Sequence, residues 1–152
     1  MGGVEPARSY ILRALEAGKT VVTSNKEVIS KFWLEFEAAA RSSGAGLYFE
    51  GTVGGGIPVL RTSTDSMQAN NLTRVMGIIN GTTNYILTKM SEEGKDFSDA
   101  LAEAQRLGYA EADPTADIEA FDAVYKLSIL SSMAFHAHMP VDVIYREGIT
   151  KL

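Results

Sequence analysis

The chain has no cysteine, which excludes disulfides, thiolate metal sites and any cysteine-nucleophile mechanism. It has no apolar run long enough to cross a bilayer. It has no basic stripe: the 14 Lys and Arg residues are scattered and outnumbered by 19 Asp and Glu, for a net charge of −5. A nucleic-acid surface is therefore not expected. Histidine occurs only at His136 and His138, with no acidic partner at ligand spacing, and both are read as structural. The opening Met1-Gly2-Gly3-Val4-Glu5-Pro6 lacks the basic and apolar regions of a signal peptide, and Pro6 stands where a myristoylation motif needs Ser or Thr. What is present has the balance of a globular protein, 45% apolar and 22% charged over 152 residues, enough for one ordinary domain. The expectation is a soluble, cytoplasmic protein.

The first half alternates helix and strand. Pro6 opens a helix whose stripe is Tyr10, Ile11, Leu12 and Leu15 and whose stop is Gly18. Residues 20–23, Thr-Val-Val-Thr, read as a short buried strand. Ser24-Asn25-Lys26-Glu27 reads as a capping box before a helix carrying Val28, Ile29, Phe32, Trp33 and Phe36 and ending near Gly44. Residues 47–50 read as a second strand, leading into a glycine-rich loop at 51–56. This order implies parallel βαβ construction.

The second half changes character. Residues 58–67 are ambiguous between a short helix and none, residues 73–79 read as a strand, and Asn80-Gly81 reads as a turn. Three helices follow: about 83–93 with Gly94 as stop, about 98–107 with Leu101, Ala104 and Leu107 on one face and Gly108 at its end, and a third after Asp113-Pro114 towards Phe135. The expected class is α/β, a truncated Rossmann-like parallel sheet portion followed by an incomplete α+β substrate and dimerisation domain, with the division at 1–57 and 58–152.

The most informative stretch runs from Gly108 to Lys126. Glu111, Asp113, Asp117 and Asp122 precede one lysine. On a helix, Asp122 and Lys126 face the same way, four residues apart. An acid there can hold an amine that exchanges a proton with an alcohol or carbonyl. On spacing alone, an acidic first turn and a surface ion pair are the simpler explanation of the pattern.

The whole string resembles the signature of the homoserine dehydrogenase family: Ala104, then Gly108-Tyr109, Asp113-Pro114, Asp117-Ile118, and Asp122 with Lys126. It departs once, with Ala120 where the family usually has glycine; the extra methyl would crowd a close contact or a positive φ. Three further segments are similar to family elements in the same order: Val22-Thr23-Ser24-Asn25-Lys26, the loop Glu50 to Pro58, and Gly77 to Tyr85.

The resemblance implies a nicotinamide-dependent oxidoreductase, using NADP or NAD, that interconverts L-homoserine and L-aspartate 4-semialdehyde in threonine, methionine and isoleucine biosynthesis. It implies Lys126 as proton donor and acceptor and Lys26 between cofactor and substrate. Glu111, Asp117 and Asp122, with the backbone of Gly108, would bind substrate, and Ser24, Asn25 and Lys26 would line the cofactor. It implies a monovalent cation, sodium or potassium, at main-chain oxygens of Glu50, Val53, Gly55 and Ile57, and a homodimer in the full-length protein. No G-x-G-x-x-G occurs; Gly54-Gly55-Gly56 has Val59 where the last glycine would fall. The phosphate-binding turn is thus expected outside this chain. The other reading is a non-catalytic remnant serving in dimerisation or amino-acid binding. An acylating semialdehyde dehydrogenase is disfavoured because it needs a nucleophilic cysteine.

Overall fold

The computed structural model describes residues 3–152, and the reading of Met1 and Gly2 lies outside them. Two compact units are formed, one by the chain up to Val75 together with Tyr125–Ile144, the other by Met76–Val124 with Tyr145–Leu152.

In the first unit, helix α1 (Ala7–Glu16) buries Ala7, Ile11 and Leu15, the stripe its spacing dictates. Gly18, at φ +71°, closes it: the Gly18 N–H donates to the Leu15 carbonyl and that of Lys19 to Ala14, both at 2.9 Å. Strand β1 (Val21–Val22) pairs in parallel with β2 (Leu47–Tyr48), Val21 opposite Leu47 and Val22 opposite Tyr48. Helices α2 (Lys26–Lys31) and α3 (Trp33–Ser43) make the crossover between them. Three expectations are corrected here. Val22 is 80% exposed rather than buried, because no described element covers that side chain. The single helix expected after residue 28 is two, interrupted at Phe32 where φ is −120°. The cap is Asn25 rather than Ser24, its Oδ1 accepting from the Val28 N–H at 3.2 Å while the Thr23 hydroxyl accepts from the Asn25 N–H at 3.1 Å.

After β2, Glu50–Thr52 makes a 3-10 turn, and a short helix α4 (Val59–Arg61) runs into a π-type turn at Thr62–Ser66. Residues 73–79 do not form the expected strand. A strand persists only against a hydrogen-bonded neighbour, no described strand pairs with this segment, and Met76 and Ile78 are left 80% and 79% exposed.

The second unit pairs helices α5 (Gly81–Glu93) and α6 (Phe97–Arg106), followed by α7 (Thr115–Ile118). Its core is Ile86, Ala100, Ala104, Ala110 and Ile149, flanked by Tyr85, Leu87, Met90, Phe97, Leu101 and Ile118. The two alanines, four apart on α6, let α5 approach closely, whereas Leu107, expected on that face, is exposed. Gly94 and Gly108, at φ +66° and +79°, end α5 and α6 as read from sequence. The last expected helix is two. A break at Glu119-Ala120 separates α7 from α8 (Phe121–Phe135), which begins in this unit and continues in the first. Ala120 stands at φ +63°, the left-handed conformation that glycine adopts freely and an alanine resists.

The class is the expected one, α/β with a small parallel sheet and a largely helical remainder. No described helix is long and apolar enough to cross a membrane.

Candidate active site

In the first unit the carboxyl end of β1 leads through Ser24 and Asn25 into α2, placing the half-buried Lys26 in its first turn. Ligands of open α/β sheets collect at this end of parallel strands. The segment after β2 comes close to it: a Cβ on Gly51 would stand 3.2 Å from the Ser24 Cβ. The Asn25 side chain is committed locally, its Oδ1 to the α2 cap and its Nδ2 to the Gly3 carbonyl at 3.0 Å.

Lys126 lies half-buried on α8, in the same unit as Lys26. The chain neighbours of the two lysines touch: the Tyr125 hydroxyl donates to the Glu27 carboxylate at 3.3 Å. Lys31, one turn along α2, pairs with the same carboxylate at 2.6 Å and lies 5.3 Å from the Tyr125 ring centroid. The Glu27 hydrogen bond is the main cause that raises the Lys31 pKa above its ordinary value. Helices α2 and α8 are thus tied together at the position that carries both lysines.

The glycine-rich loop is shaped by Gly54 and Gly55, at φ +75° and +60°. A side chain on Gly54 would meet the Ile57 carbonyl at 3.3 Å. The Glu50 carboxylate is spent on the free N–H groups at the start of α4, accepting from Leu60 at 3.0 Å and Arg61 at 2.8 Å. The Glu50 and Ile57 carbonyls accept from Val53 and Val59 at 3.4 and 2.8 Å, and each keeps a second lone pair. Among the described residues no three His, Asp or Glu side chains gather as a metal site.

The carboxylates gather in the second unit. Asp122, 6% exposed, and the half-buried Asp117 both accept from Asn80 Nδ2, at 2.9 and 2.7 Å. Gly108 opens the loop that carries the exposed Glu111. That loop is anchored by Thr82, whose hydroxyl donates to the Tyr109 carbonyl at 2.7 Å, and by Gln105, whose amide donates to the Glu111 carbonyl at 3.1 Å. Asp113, just ahead of α7, accepts from the Thr115 hydroxyl at 2.6 Å and N–H at 3.1 Å. Those bonds, the hydroxyl's first, lower its pKa.

Sequence reasoning missed Asn80, Thr82 and Gln105. Asn80-Gly81 was read as a turn, yet Asn80 caps α5, its Oδ1 accepting from the Thr83 N–H at 2.8 Å. An Asn immediately before an apolar-periodic segment is also a helix-start signal. Nothing in the sequence, however, indicates that its Nδ2 bridges residues 37 and 42 positions away.

A family model described as homoserine dehydrogenase matches residues 58–152. A second, described as the homoserine dehydrogenase NAD binding domain, matches residues 1–50. A homoserine dehydrogenase of Mycobacterium tuberculosis is 54% identical over 152 residues, all of this chain and 34% of that protein. Among solved structures, a homoserine dehydrogenase from Thiobacillus denitrificans superposes with a TM-score of 0.97 at 49% identity, covering 100% of this chain and 35% of that one. A hyperthermophilic archaeal homoserine dehydrogenase mutant in complex with NADPH gives 0.89 at 37% identity, over 97% of this chain and 45% of that one. The chain thus spans about a third of the length of the curated relatives it matches.

Proposed function

Because the chain belongs to the homoserine dehydrogenase family, we propose that it supplies the substrate side of an NAD(P)-dependent interconversion of L-homoserine and L-aspartate 4-semialdehyde, a step of amino-acid biosynthesis. The observation that carries this reading is the Tyr125–Glu27 hydrogen bond, which joins the helices bearing Lys126 and Lys26.

A nicotinamide cofactor, held beside Ser24, Asn25 and Lys26, would supply the acceptor for the hydride on the terminal carbon of homoserine. Lys126 takes the hydroxyl proton as the carbon–oxygen double bond forms and returns it in the reverse direction. Glu111, Asp117 and Asp122 receive the substrate, with the Gly108 backbone lining the pocket. Lys26 stands between substrate and cofactor, and Ser24 and Asn25 line the cofactor side at the end of β1. The position of these three at a strand's carboxyl end, with Gly51 packed close behind Ser24, fits a dinucleotide edge.

The loop from Glu50 to Ile57 fits a monovalent cation, sodium or potassium, held by the main-chain oxygens of Glu50, Val53, Gly55 and Ile57. Gly54 and Gly55, both at positive φ, bend the loop tightly, and oxygen is the ligand such hard ions take. The division proposed at 1–57 and 58–152 is supported by the two family matches, over 1–50 and 58–152, whereas the compact units part between Val75 and Met76. The full-length protein is proposed to be a homodimer.

The test is a chimera in which residues 1–152 replace the matching third of the Mycobacterium tuberculosis relative. Homoserine-dependent reduction of NADP or NAD, followed by absorbance, is expected. A folded chimera without that activity, beside an active parent, would overturn the reading.

A further inference from the structure

Asn80 is 8% exposed and uses its whole side chain. Its Oδ1 accepts from the Thr83 N–H at 2.8 Å and from the Thr83 hydroxyl at 2.9 Å. The main-chain N–H can only donate, so the amide orientation is fixed, with Nδ2 turned to the other side. There its two hydrogens go to two different carboxylates, Asp117 Oδ1 at 2.7 Å and Asp122 Oδ2 at 2.9 Å. Two anions that converge on one nitrogen repel each other, and with Asp122 buried little water is available to screen them. A neutral donor between them gives each carboxylate one hydrogen bond and fixes the spacing of the two.

We propose that Asn80 is a positioning residue. It holds Asp117 and Asp122 as a matched pair of acceptors, in register with the start of α5, for the amino-acid substrate. This rests on the function proposed above. It assigns to Asn80 a role distinct from capping the helix, and substitution can separate the two. Serine at this position still caps a helix but cannot reach the carboxylates. Aspartate caps equally well and adds a third negative charge to the cluster. A helix-capping role alone would leave both variants fully functional.

The experiment has two readouts. In the chimera, Asn80→Ser is expected to raise KM for L-homoserine at least tenfold, with KM for NADP changed less than twofold and the melting temperature within a few degrees. Asn80→Asp is expected to be worse on homoserine and no less folded. In the 152-residue chain, NMR is expected to show the two Asn80 side-chain amide protons protected from exchange with water, and exposed in Asp122→Ala. An unaltered homoserine KM in Asn80→Ser, or freely exchanging Asn80 amide protons in the parent, overturns the proposal. A parent chimera that ignores homoserine while those protons stay protected defeats the functional reading and leaves the clamp standing.

Discussion

The Tyr125 hydroxyl meets the Glu27 carboxylate at 3.3 Å across 98 residues of sequence, and it does so one residue before Lys126 and one after Lys26. Removing it tests whether the tie between α2 and α8 matters. Tyr125→Phe keeps the ring beside Lys31 and deletes only the hydroxyl. Loss of about 0.5–1.5 kcal/mol of stability is expected, the usual net worth of one hydrogen bond. A several-fold fall in homoserine turnover should accompany it in the chimera. Steady-state kinetics and thermal melting together check this, and a turnover equal to the parent's would show that the tie does not position Lys126.

Ala120 closes the turn between α7 and α8, its N–H on the Asp117 carbonyl at 2.9 Å and its φ at +63°. A non-glycine residue there costs about 1–2 kcal/mol, partly offset by the ~0.4–1 kcal/mol that alanine gains over glycine through the unfolded chain. Ala120→Gly is therefore expected to stabilise by up to ~1 kcal/mol, a rise of roughly 2–4 °C in melting temperature. Ala120→Val should lower it, since a β-branched residue tolerates positive φ least. A glycine variant that melts below the parent would contradict the strain argument.

Gly148 admits no side chain. A Cβ there would stand 2.9 Å from the Ile118 carbonyl oxygen and from Glu119 Oε2. The neighbouring Ile149 N–H donates to that same carbonyl at 2.9 Å, and Ile149 is part of the second unit's core. Gly148→Ala must push backbone against backbone and should destabilise by about 1–3 kcal/mol, as overpacked sites do. Denaturant unfolding measures this. An unchanged midpoint would mean that the final segment does not hold this position.

The α5–α6 pair should weaken in acid. Glu103 lies below the ordinary carboxylate pKa through its bond to Lys95 and then to Tyr85, and Glu93 likewise through Lys89 and then Lys95. A carboxylate depressed in the folded state stabilises fully above its unfolded value, about 4.3 for glutamate, and loses that contribution as pH falls through the folded value. The melting temperature should drop below about pH 4, less steeply in Glu103→Gln. Equal slopes for parent and variant would show that this network contributes nothing.

Much of the molecule was legible in the sequence because local rules settle it. The glycines at 18, 44, 94 and 108 end helices in left-handed geometry where the pattern says they should. The parallel strand pair follows from β-branched and aromatic runs separated by a helix. What the sequence hid depends on distant partners. Residues 73–79 have a strand's composition, but a strand also requires a neighbour, and none is described. The cap is Asn25 rather than Ser24, with the Thr23 hydroxyl holding the turn just before it. The candidate site divides in the same way. Asp122 and Lys126 on one helix were readable from a spacing of four, whereas Asn80 between two carboxylates needed three dimensions.

The most direct measurement of the central claim is turnover of the chimera carrying Lys126→Ala, with circular dichroism to establish that it folds. If Lys126 carries the substrate's proton, turnover should fall on the order of 10²–10⁴-fold with homoserine binding largely kept. A folded variant that turns over as fast as the parent would contradict the account.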